Sequence, residues 1–443
     1  MTLAAEQPRT GLLHILGVSF GVAVGVGMMI GSGILRAPST IAGEVPSAAW
    51  IIALWALGAL HAALGANVVA ELATALPRAG GSYVYAHRAL GDIGGLIVGW
   101  ANWISTLAGI AAASVSFANF LGLEWSYAHD HPGLVAVAMQ IFLFATNMVG
   151  LREGRAMQLA TSVLKSLMFL AFAAAAVSLG MQSGLSQTIS AAAPAVGVWS
   201  LVAGYQLIRG AYAGWEAPVY FSEENAEPGR SIPRALFLGL AFTALLYVGV
   251  NAALLLALGV DGTARSVLPF NAVLVHFGNF WPVLLFSIGA MITVASCANA
   301  NIMSAPRILF ALSRDRLLPH ALKQINSGGS PALAYGMSAL CALALAATGS
   351  FSIVFGLIGT LNSLAGLLIG IGFFVLRVRE PGLARPFRAR LYPVLPALAV
   401  AVDGVLLLLF LRNDIDGAYF AIALSALCIP FALIARRSRA AKA

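Results

Sequence analysis

The segment from Gly25 to Ile34 places four glycines in the middle of the first long apolar run of the chain. Each glycine weakens a helix by about 1 kcal/mol relative to alanine, so we expect the helix to break there. Inside a bilayer, a broken backbone persists only where protein or a water-filled cavity satisfies its N–H and C=O groups. A half-helix beginning after Gly33 would direct free N–H donors into that cavity, which is chemistry suited to an anion. Close packing of helices through small residues would explain the same composition.

A second segment, from Arg209 to Glu216, repeats this peculiarity in the sixth apolar run. It combines two glycines, two charged residues and two aromatic residues, which a continuous lipid-facing helix would not tolerate. Paired glycine-interrupted segments in corresponding positions of two halves of a chain indicate the substrate site of a secondary transporter. The second segment therefore favours a binding site over simple packing for the first one.

Lys165 is the only lysine inside an apolar run. An ionisable side chain at membrane depth is costly and is functional by default. We expect its ammonium group to donate hydrogen bonds to carbonyls freed by the first break and to hydroxyls of the eighth run, such as that of Ser296. The alternative is a side chain that extends to the cytoplasmic interface.

The elements that must position these residues are transmembrane helices. Of the 443 residues, 60% are hydrophobic and 9% are charged, compared with about 25% charged residues in soluble domains. A span requires about 20 mostly apolar residues. Twelve runs fit, with predicted limits 14–42, 47–76, 93–121, 132–150, 157–180, 196–221, 233–260, 280–312, 331–347, 351–376, 392–411 and 417–435.

Lysine and arginine are distributed unevenly over the loops between these spans. With a cytoplasmic N-terminus, 20 of them lie on the cytoplasmic side and 3 lie outside. This pattern predicts a multi-pass protein of the cell membrane with both termini in the cytoplasm. The basic residues form no patch interleaved with aromatic residues, so we expect the lipid bilayer and not nucleic acid as a partner.

The predicted fold class is an all-α integral membrane protein with a single domain over residues 1–443. Spans one to five (11–180) and six to ten (196–376) form two repeats of opposite orientation, a 5+5 inverted repeat. In this arrangement the broken first and sixth helices occupy corresponding positions. Spans eleven and twelve (392–435) add two peripheral helices.

Other functional classes find no support in the motifs. An integral membrane enzyme would need His, Asp or Glu side chains clustered on the spans around a cavity, and a channel would need a filter-like repeat. The chain contains no nucleotide-binding loop that ends in Gly-Lys-Ser/Thr. The cysteines Cys297, Cys341 and Cys428 lack metal-ligand spacing. We therefore expect no enzymatic activity, no metal and no cofactor.

Four motifs follow one another along the first ten spans: Gly31-Ser32-Gly33-Ile34, ELATALPRAGGSYVY (71–85), EENAEPGRSIPRA (223–235), and SAPR (304–307) with SRD (313–315). Together they resemble the amino acid, polyamine and organocation (APC) superfamily of transporters, of the amino acid permease type. The resemblance implies a permease that moves amino acids by alternating access, as an exchanger or a proton-coupled symporter. A polyamine or organic-cation carrier of the same fold is the alternative. Such a carrier would require more acidic residues at the centre of its spans than Glu216 alone.

The two breaks are complementary to an amino acid zwitterion, and the resemblance implies the same arrangement. The carboxylate would accept from the N–H groups of Ser32, Gly33 and Ile34, helped by the Ser32 hydroxyl. The ammonium group would lie against carbonyls freed at both breaks. The predicted substrate-binding residues are Met29, Ile30, Gly31, Ser32, Gly33, Ile34, Gly210, Ala211, Tyr212, Ala213 and Trp215.

The resemblance also implies coupling and gating roles. Sodium-independent members carry a fifth-span lysine where sodium-coupled relatives bind a cation, so Lys165 implies sodium independence. Glu216 matches a glutamate of proton-sensitive members, which adds protons as a partner. Gly210 stands where many members place a gating aromatic residue, for which Tyr212 or Trp215 would substitute. Arg209 departs from the usual apolar residue, and three roles are open for it: selecting an acidic side chain, pairing with Glu216, or facing an outer vestibule.

Several polar residues of the spans are candidates for a functional role. They rank second, because polar side chains in membranes more often hydrogen-bond one helix to another than touch substrate. Glu71 with Arg78 and Arg307 would form a cytoplasmic ion-pair gate, and Asp403 in the eleventh span has no predicted partner. Candidates for substrate contact are Asn102, Ser105, Asn299, Asn301, Asn362 and Ser363.

Overall fold

The computed structural model describes residues 17–78, 80–149, 154–182, 195–278, 280–325, 331–347, 351–426 and 428–430. Its regular elements are helices, joined by short loops. They are α1 (Val18–Met29), α2 (Ser32–Glu44), α3 (Ala48–Ala75), α4 (Tyr83–Leu121), α5 (Ser126–Asp130), α6 (Pro132–Val149), α7 (Gly154–Gln182), α8 (Val198–Ala211), α9 (Pro228–Arg265), α10 (Pro269–Val275), α11 (Phe280–Arg314), α12 (Ala332–Ala347), α13 (Phe351–Arg379), α14 (Val394–Asn413) and α15 (Ile415–Ala426), with 3-10 helices at Ala217–Glu224 and His320–Lys323.

Eight helical stretches in the described part of the chain are long and apolar enough to cross a bilayer. One of them, Val18–Glu44, runs through α1 and α2 together. Three further apolar helices, α6, α12 and α15, are shorter. The all-helical, multi-pass membrane architecture expected from the hydropathy pattern is therefore confirmed.

Two helices extend beyond their predicted spans and bend at a glycine close to the predicted limit. The chain turns at Gly91 in α4, where φ is 75°, just before the expected start at Ile93. It turns again at Gly259 in α9, where φ is 69°, just before the expected end at Val260. Hydropathy marks only the apolar part of such a helix, so the more polar extension beyond the glycine is missed.

The first helix is broken where its glycines predict. α1 ends at Met29, and α2 begins at Ser32, slightly earlier than expected. A Cβ atom at Gly31 would lie 2.5 Å from the Cys297 sulfur, so only glycine allows α11 to approach the backbone here. Close helix packing and a broken backbone thus occur at the same residue.

The sixth helix is broken as well. α8 ends at Ala211, and the chain continues after a turn as the 3-10 helix Ala217–Glu224. Gly214 in this turn has φ 98°, in the left-handed region that glycine adopts most easily. A Cβ atom there would lie 2.7 Å from the Met28 Cβ, so the second break packs directly against the first.

The long helix α4 lies at the centre of the bundle, with α11 and α13 packed along it. α9 packs against α1, α3 and α7, and α14 packs against α13, α3 and α8. The short helix α10 is fixed by Phe270, whose ring stacks on Phe286 of α11 at 5.3 Å. These contacts hold both breaks between α4, α9, α11 and α13.

Candidate functional site

A cavity lies between the two breaks, and we call it the central cavity. Helices α4, α11 and α13 supply its remaining walls. The predicted substrate-binding residues that line it are Met29, Gly31, Ser32, Gly33, Gly210, Ala211 and Ala213. The predicted residues Ile30, Ile34, Tyr212 and Trp215 are buried but lie outside this lining.

The start of α2 offers hydrogen-bond donors to the central cavity. The first N–H groups of a helix have no acceptor within the helix. No side chain caps α2 at Gly31, and the residues Ser32 and Gly33 line the cavity. These donors and the positive end of the helix dipole suit a carboxylate.

The carbonyls at the end of α1 already have partners. The Lys165 Nζ donates to Gly27 O at 2.9 Å and to Ile30 O at 3.1 Å. The Cys297 thiol donates to Met28 O at 3.2 Å. A carbonyl oxygen has two lone pairs, so each of these groups can accept a second donor.

The structure confirms one expected partnership of Lys165 and corrects another. Its side chain is 2% exposed and bonds to the freed carbonyls of α1, so the interfacial alternative is wrong. The hydroxyl of Ser296 bonds instead to Thr161 Oγ1 at 2.9 Å, one helical turn before Lys165. Cys297, the next residue of α11, contacts the first break in place of Ser296. The role of Lys165 in transport stays a prediction.

Tyr247 of α9 connects the two breaks, which the sequence analysis did not foresee. Its hydroxyl group bonds to Met29 O at the first break and to Ala211 O at the second, the latter at 3.2 Å. The ring packs on those of Trp55 and Tyr212. Tyr212 itself donates to Trp55 O at 3.1 Å, facing α3 and not the central cavity.

Phe355 of α13 fills the space that Gly210 leaves open. A Cβ atom at Gly210 or at Gly33 would lie 3.0 Å from the Phe355 ring. The ring stacks on Phe351 at 4.8 Å, and the Arg36 guanidinium lies 4.7 Å from the Phe351 centroid. An aromatic ring thus covers the two glycines, but it comes from α13 and not from Tyr212 or Trp215.

Glu216 lines the central cavity and has local partners. Its carboxylate accepts from Ser82 Oγ at 3.1 Å and from Tyr220 Oη at 3.3 Å. Trp215 packs against Gly65 of α3 instead of the central cavity. Arg209 makes no ion pair with Glu216 among the described residues, so the expected alternative of such a pair is wrong.

Arg209 pairs with Asp403, the residue for which we had predicted no partner. Its Nη2 lies 3.5 Å from Asp403 Oδ1 and donates to Asn362 O at 3.2 Å. The side chain is 10% exposed, which excludes an outer vestibule. His61 of α3 also contacts Asp403, with Nε2 3.1 Å from Oδ1. A helix expected to be peripheral thus contributes a buried carboxylate next to the second break.

The cytoplasmic gate expected from Glu71, Arg78 and Arg307 is wrong. Glu71 is 1% exposed and pairs with Arg377 at 2.6 Å and Arg385 at 3.0 Å. Arg377 belongs to the last turn of α13, whereas Arg385 lies in the segment after α13, which folds onto α3. Arg78 pairs with Asp315 at 3.7 Å, and the Arg307 guanidinium lies over the Phe221 ring.

The secondary candidates divide into two groups. Asn102, Ser105, Asn301 and Asn362 line the central cavity, and Ser105 Oγ donates to Asn362 Oδ1 at 3.0 Å. Asn299 faces Asn147 of α6, and Ser363 donates to a carbonyl of its own helix. Among the described residues, no three His, Cys, Asp or Glu side chains come together as metal ligands.

Comparisons with known proteins agree on one family. A sequence model described as "Amino acid permease" matches residues 16–432. The serine/threonine exchanger SteT of Bacillus subtilis is 24% identical over 397 residues, covering 88% of this chain and 90% of SteT. The branched-chain amino acid permease BcaP of the same organism is 27% identical, covering 90% and 88%. The b(0,+)-type amino acid transporter 1 of Mus musculus is 26% identical, covering 92% and 84%.

Proposed function

The chain belongs to the amino acid permease family and is a transporter, not an enzyme, and we propose that it carries its substrate in the central cavity by alternating access. The architecture we propose is the twelve-span fold with a 5+5 inverted repeat over 11–180 and 196–376. Its location is the cell membrane, with both termini in the cytoplasm. Transport is sodium-independent and runs as amino acid exchange or as proton-coupled symport.

The observation that carries this proposal is the meeting of the two breaks around one cavity. Gly214 packs on Met28, and Tyr247 bonds to a carbonyl of each break. Uncapped N–H donors of α2 lie on one side, and the residues Ala211 and Ala213 of the second break line the other. A zwitterion satisfies both sets, with its carboxylate at Ser32, Gly33 and Ile34 and its ammonium group at the carbonyls.

Lys165 supports sodium independence. Its ammonium group donates to Gly27 O and Ile30 O, and carbonyl oxygens of this kind are also ligands for Na⁺. A fixed positive charge at this place supplies what a bound cation would supply. We therefore propose that the first break keeps its shape without a metal ion.

The wall formed by α4, α11 and α13 favours an uncharged polar side chain on the substrate. Asn102 is 4% exposed, and its side chain has no hydrogen-bond partner among the described residues. Asn301 and Asn362 add further amide groups to this wall. The relatives' names state serine/threonine exchange and branched-chain amino acid transport. These amides fit the first activity better, because they can hydrogen-bond the hydroxyl of serine or threonine but not a branched hydrocarbon side chain.

A polyamine or organic-cation carrier fits the central cavity less well. A cationic substrate needs acidic groups with free acceptor positions. Among the described residues that line the cavity, Glu216 is the only acidic one, and Ser82 and Tyr220 already donate to it. The charge balance therefore favours a zwitterion.

Uptake by purified protein in proteoliposomes tests the proposal. Vesicles preloaded with serine, glutamine, leucine, arginine or putrescine receive labelled serine, in sodium or choline buffer and with or without a proton gradient. We expect uptake that depends on an internal amino acid or a proton gradient and is equal in the two salts. Uptake that requires sodium would contradict the role of Lys165, and preferred transport of putrescine would contradict the choice of substrate.

A further inference from the structure

A second cavity, which we call the side cavity, lies between α3, α8, α13 and α14. Five residues line both this cavity and the central cavity: Asn102, Ala213, Gly214, Glu216 and Asn362. The two cavities therefore meet at the second break. The side cavity holds a buried group of titratable side chains that the proposed transport site does not use.

His61 is fully engaged at both ring nitrogens. Nε2 lies 3.1 Å from Asp403 Oδ1, and Nδ1 lies 3.0 Å from Tyr205 Oη. A neutral ring satisfies both contacts if Nε2–H donates to Asp403 and the Tyr205 hydroxyl donates to Nδ1. A protonated ring satisfies them too, because a hydroxyl can rotate and accept instead. His61 can therefore take up a proton and keep both of its contacts.

Asp403 is shared between two donors. Its Oδ1 contacts both His61 and, at 3.5 Å, the Arg209 guanidinium. The Nε of Arg209 has no hydrogen-bond partner among the described residues. A Cβ atom at Gly366 would lie 2.4 Å from Asp403 Oδ2, so glycine in α13 is what lets the carboxylate reach this position.

We propose that His61 and Asp403 form a proton-binding site whose occupation releases Arg209. A proton on His61 makes the imidazolium compete with Arg209 for Oδ1, and a proton on Asp403 removes the negative charge that holds Arg209. The proton belongs to the coupled pair, so both descriptions have the same consequence. The proton comes from the solvent and binds a lone pair of His61 or Asp403, so no covalent bond of the protein is broken.

The released residue lies where it can affect transport. Arg209 belongs to the last turn of α8 and precedes Gly210 at the second break. Its release would free a buried guanidinium at the wall of the side cavity, directly before that break. This inference rests on the proposed transport function, because it links proton binding to a movement of α8 at the second break.

Among the described residues, five charged or titratable groups line the side cavity or contact its lining, and Tyr212 lies next to one of them, Tyr205. α3 contributes His61, α8 contributes Tyr205 and Arg209, α14 contributes Asp403, and the second break contributes Glu216. The described residues of α13 that line the cavity carry no charge. Proton uptake therefore changes the net charge of this small group of described side chains.

Nuclear magnetic resonance of histidine-labelled protein in lipid tests the site directly and does not require transport. The chain has seven histidines, and His61→Gln assigns the signal. We expect His61 to change from the neutral to the charged form as the pH is lowered from about 8 to the lowest value at which the protein stays folded, and Asp403→Asn to displace this titration. A His61 signal that stays constant over this range, or that titrates identically in Asp403→Asn, would overturn the proposal.

The pH profile of amino acid exchange provides the second readout. Glutamine can donate to Asp403 and accept from Tyr205, but it cannot take up a proton, so His61→Gln keeps the contacts and removes the titration. The matched control is His87→Gln, because His87 also bonds to an aspartate, Asp92, at 3.0 Å, at the cytoplasmic end of α4.

We expect wild type and His87→Gln to change rate more than about fivefold between pH 5 and pH 8, and His61→Gln less than about twofold. An unchanged pH profile in a folded His61→Gln protein would contradict the coupling. Absence of uptake by the wild type at every pH would count against the proposed transport function alone, and the resonance titration would still decide the proton site.

Discussion

Lys165 and Gly27 are joined by a hydrogen bond of 2.9 Å between the ammonium group of α7 and a carbonyl at the end of α1. The two residues belong to different helices, and the lysine is almost completely buried. The bond holds a positive charge beside the first break. This relationship underlies the proposed sodium independence.

Lys165→Ala should lower amino acid exchange at least about tenfold, because it leaves two buried carbonyls without their charged donor. Added sodium should not restore the activity, because the two carbonyls that lose Lys165 do not form a complete coordination shell for Na⁺. Lys323→Ala removes a lysine from the 3-10 helix after α11 and serves as the control. Exchange by Lys165→Ala at the wild-type rate in proteoliposomes would contradict the assignment.

Tyr247→Phe should reduce the rate of exchange about two- to tenfold, the scale of one neutral hydrogen bond. The ring contacts with Trp55 and Tyr212 remain, so the fold should be unaffected. Tyr335→Phe in α12 is the matched control, a buried tyrosine that does not line the central cavity. Equal rates for the two variants would show that the link between the breaks has no role in transport.

Phe355→Ala should expose the central cavity to the outside, because it removes the ring that covers Gly33 and Gly210. Cys297 lines this cavity and reports on its accessibility once Cys341 and Cys428 are replaced by serine. We expect a membrane-impermeant thiol reagent to label Cys297 several times faster in Phe355→Ala. Phe374→Ala, farther along α13, is the control, and equal labelling in both would refute a gate at Phe355.

Gly214→Ala should destabilise the protein by about 1–2 kcal/mol or more, the scale of a left-handed backbone at a residue with a Cβ atom. The new Cβ would also meet Met28. Gly249→Ala in α9 has open space around the new atom and should be neutral or stabilising. Thermal unfolding in detergent compares the two, and equal midpoints would contradict the packing of the second break on the first.

The broken helices and the buried lysine were predictable because their signals are local. Glycines weaken a helix wherever it packs, and a lysine in an apolar run is costly in any fold. The APC resemblance then placed both breaks at one site, and the family comparison confirmed the class of protein.

The residues that sequence analysis missed are those whose role depends on another helix. Tyr247 and Phe355 lie in apolar runs, where an aromatic residue indicates packing and nothing more. The choice between Ser296 and Cys297 depends on the rotation of α11, which hydropathy does not fix. Asp403 likewise had no predicted partner, because its partners lie on α3 and α8, far away in sequence.

Competition between an amino acid and its blocked derivatives tests the central claim most directly, namely that the two breaks hold both ends of a zwitterion. The measurement is inhibition of labelled amino acid uptake in proteoliposomes by the same amino acid, its carboxamide and its N-acetyl form. Each derivative loses one charge-assisted interaction, so we predict at least about tenfold weaker inhibition by both. Inhibition by the derivatives as strong as that by the intact amino acid would contradict a site built from the start of α2 and the carbonyls of the second break.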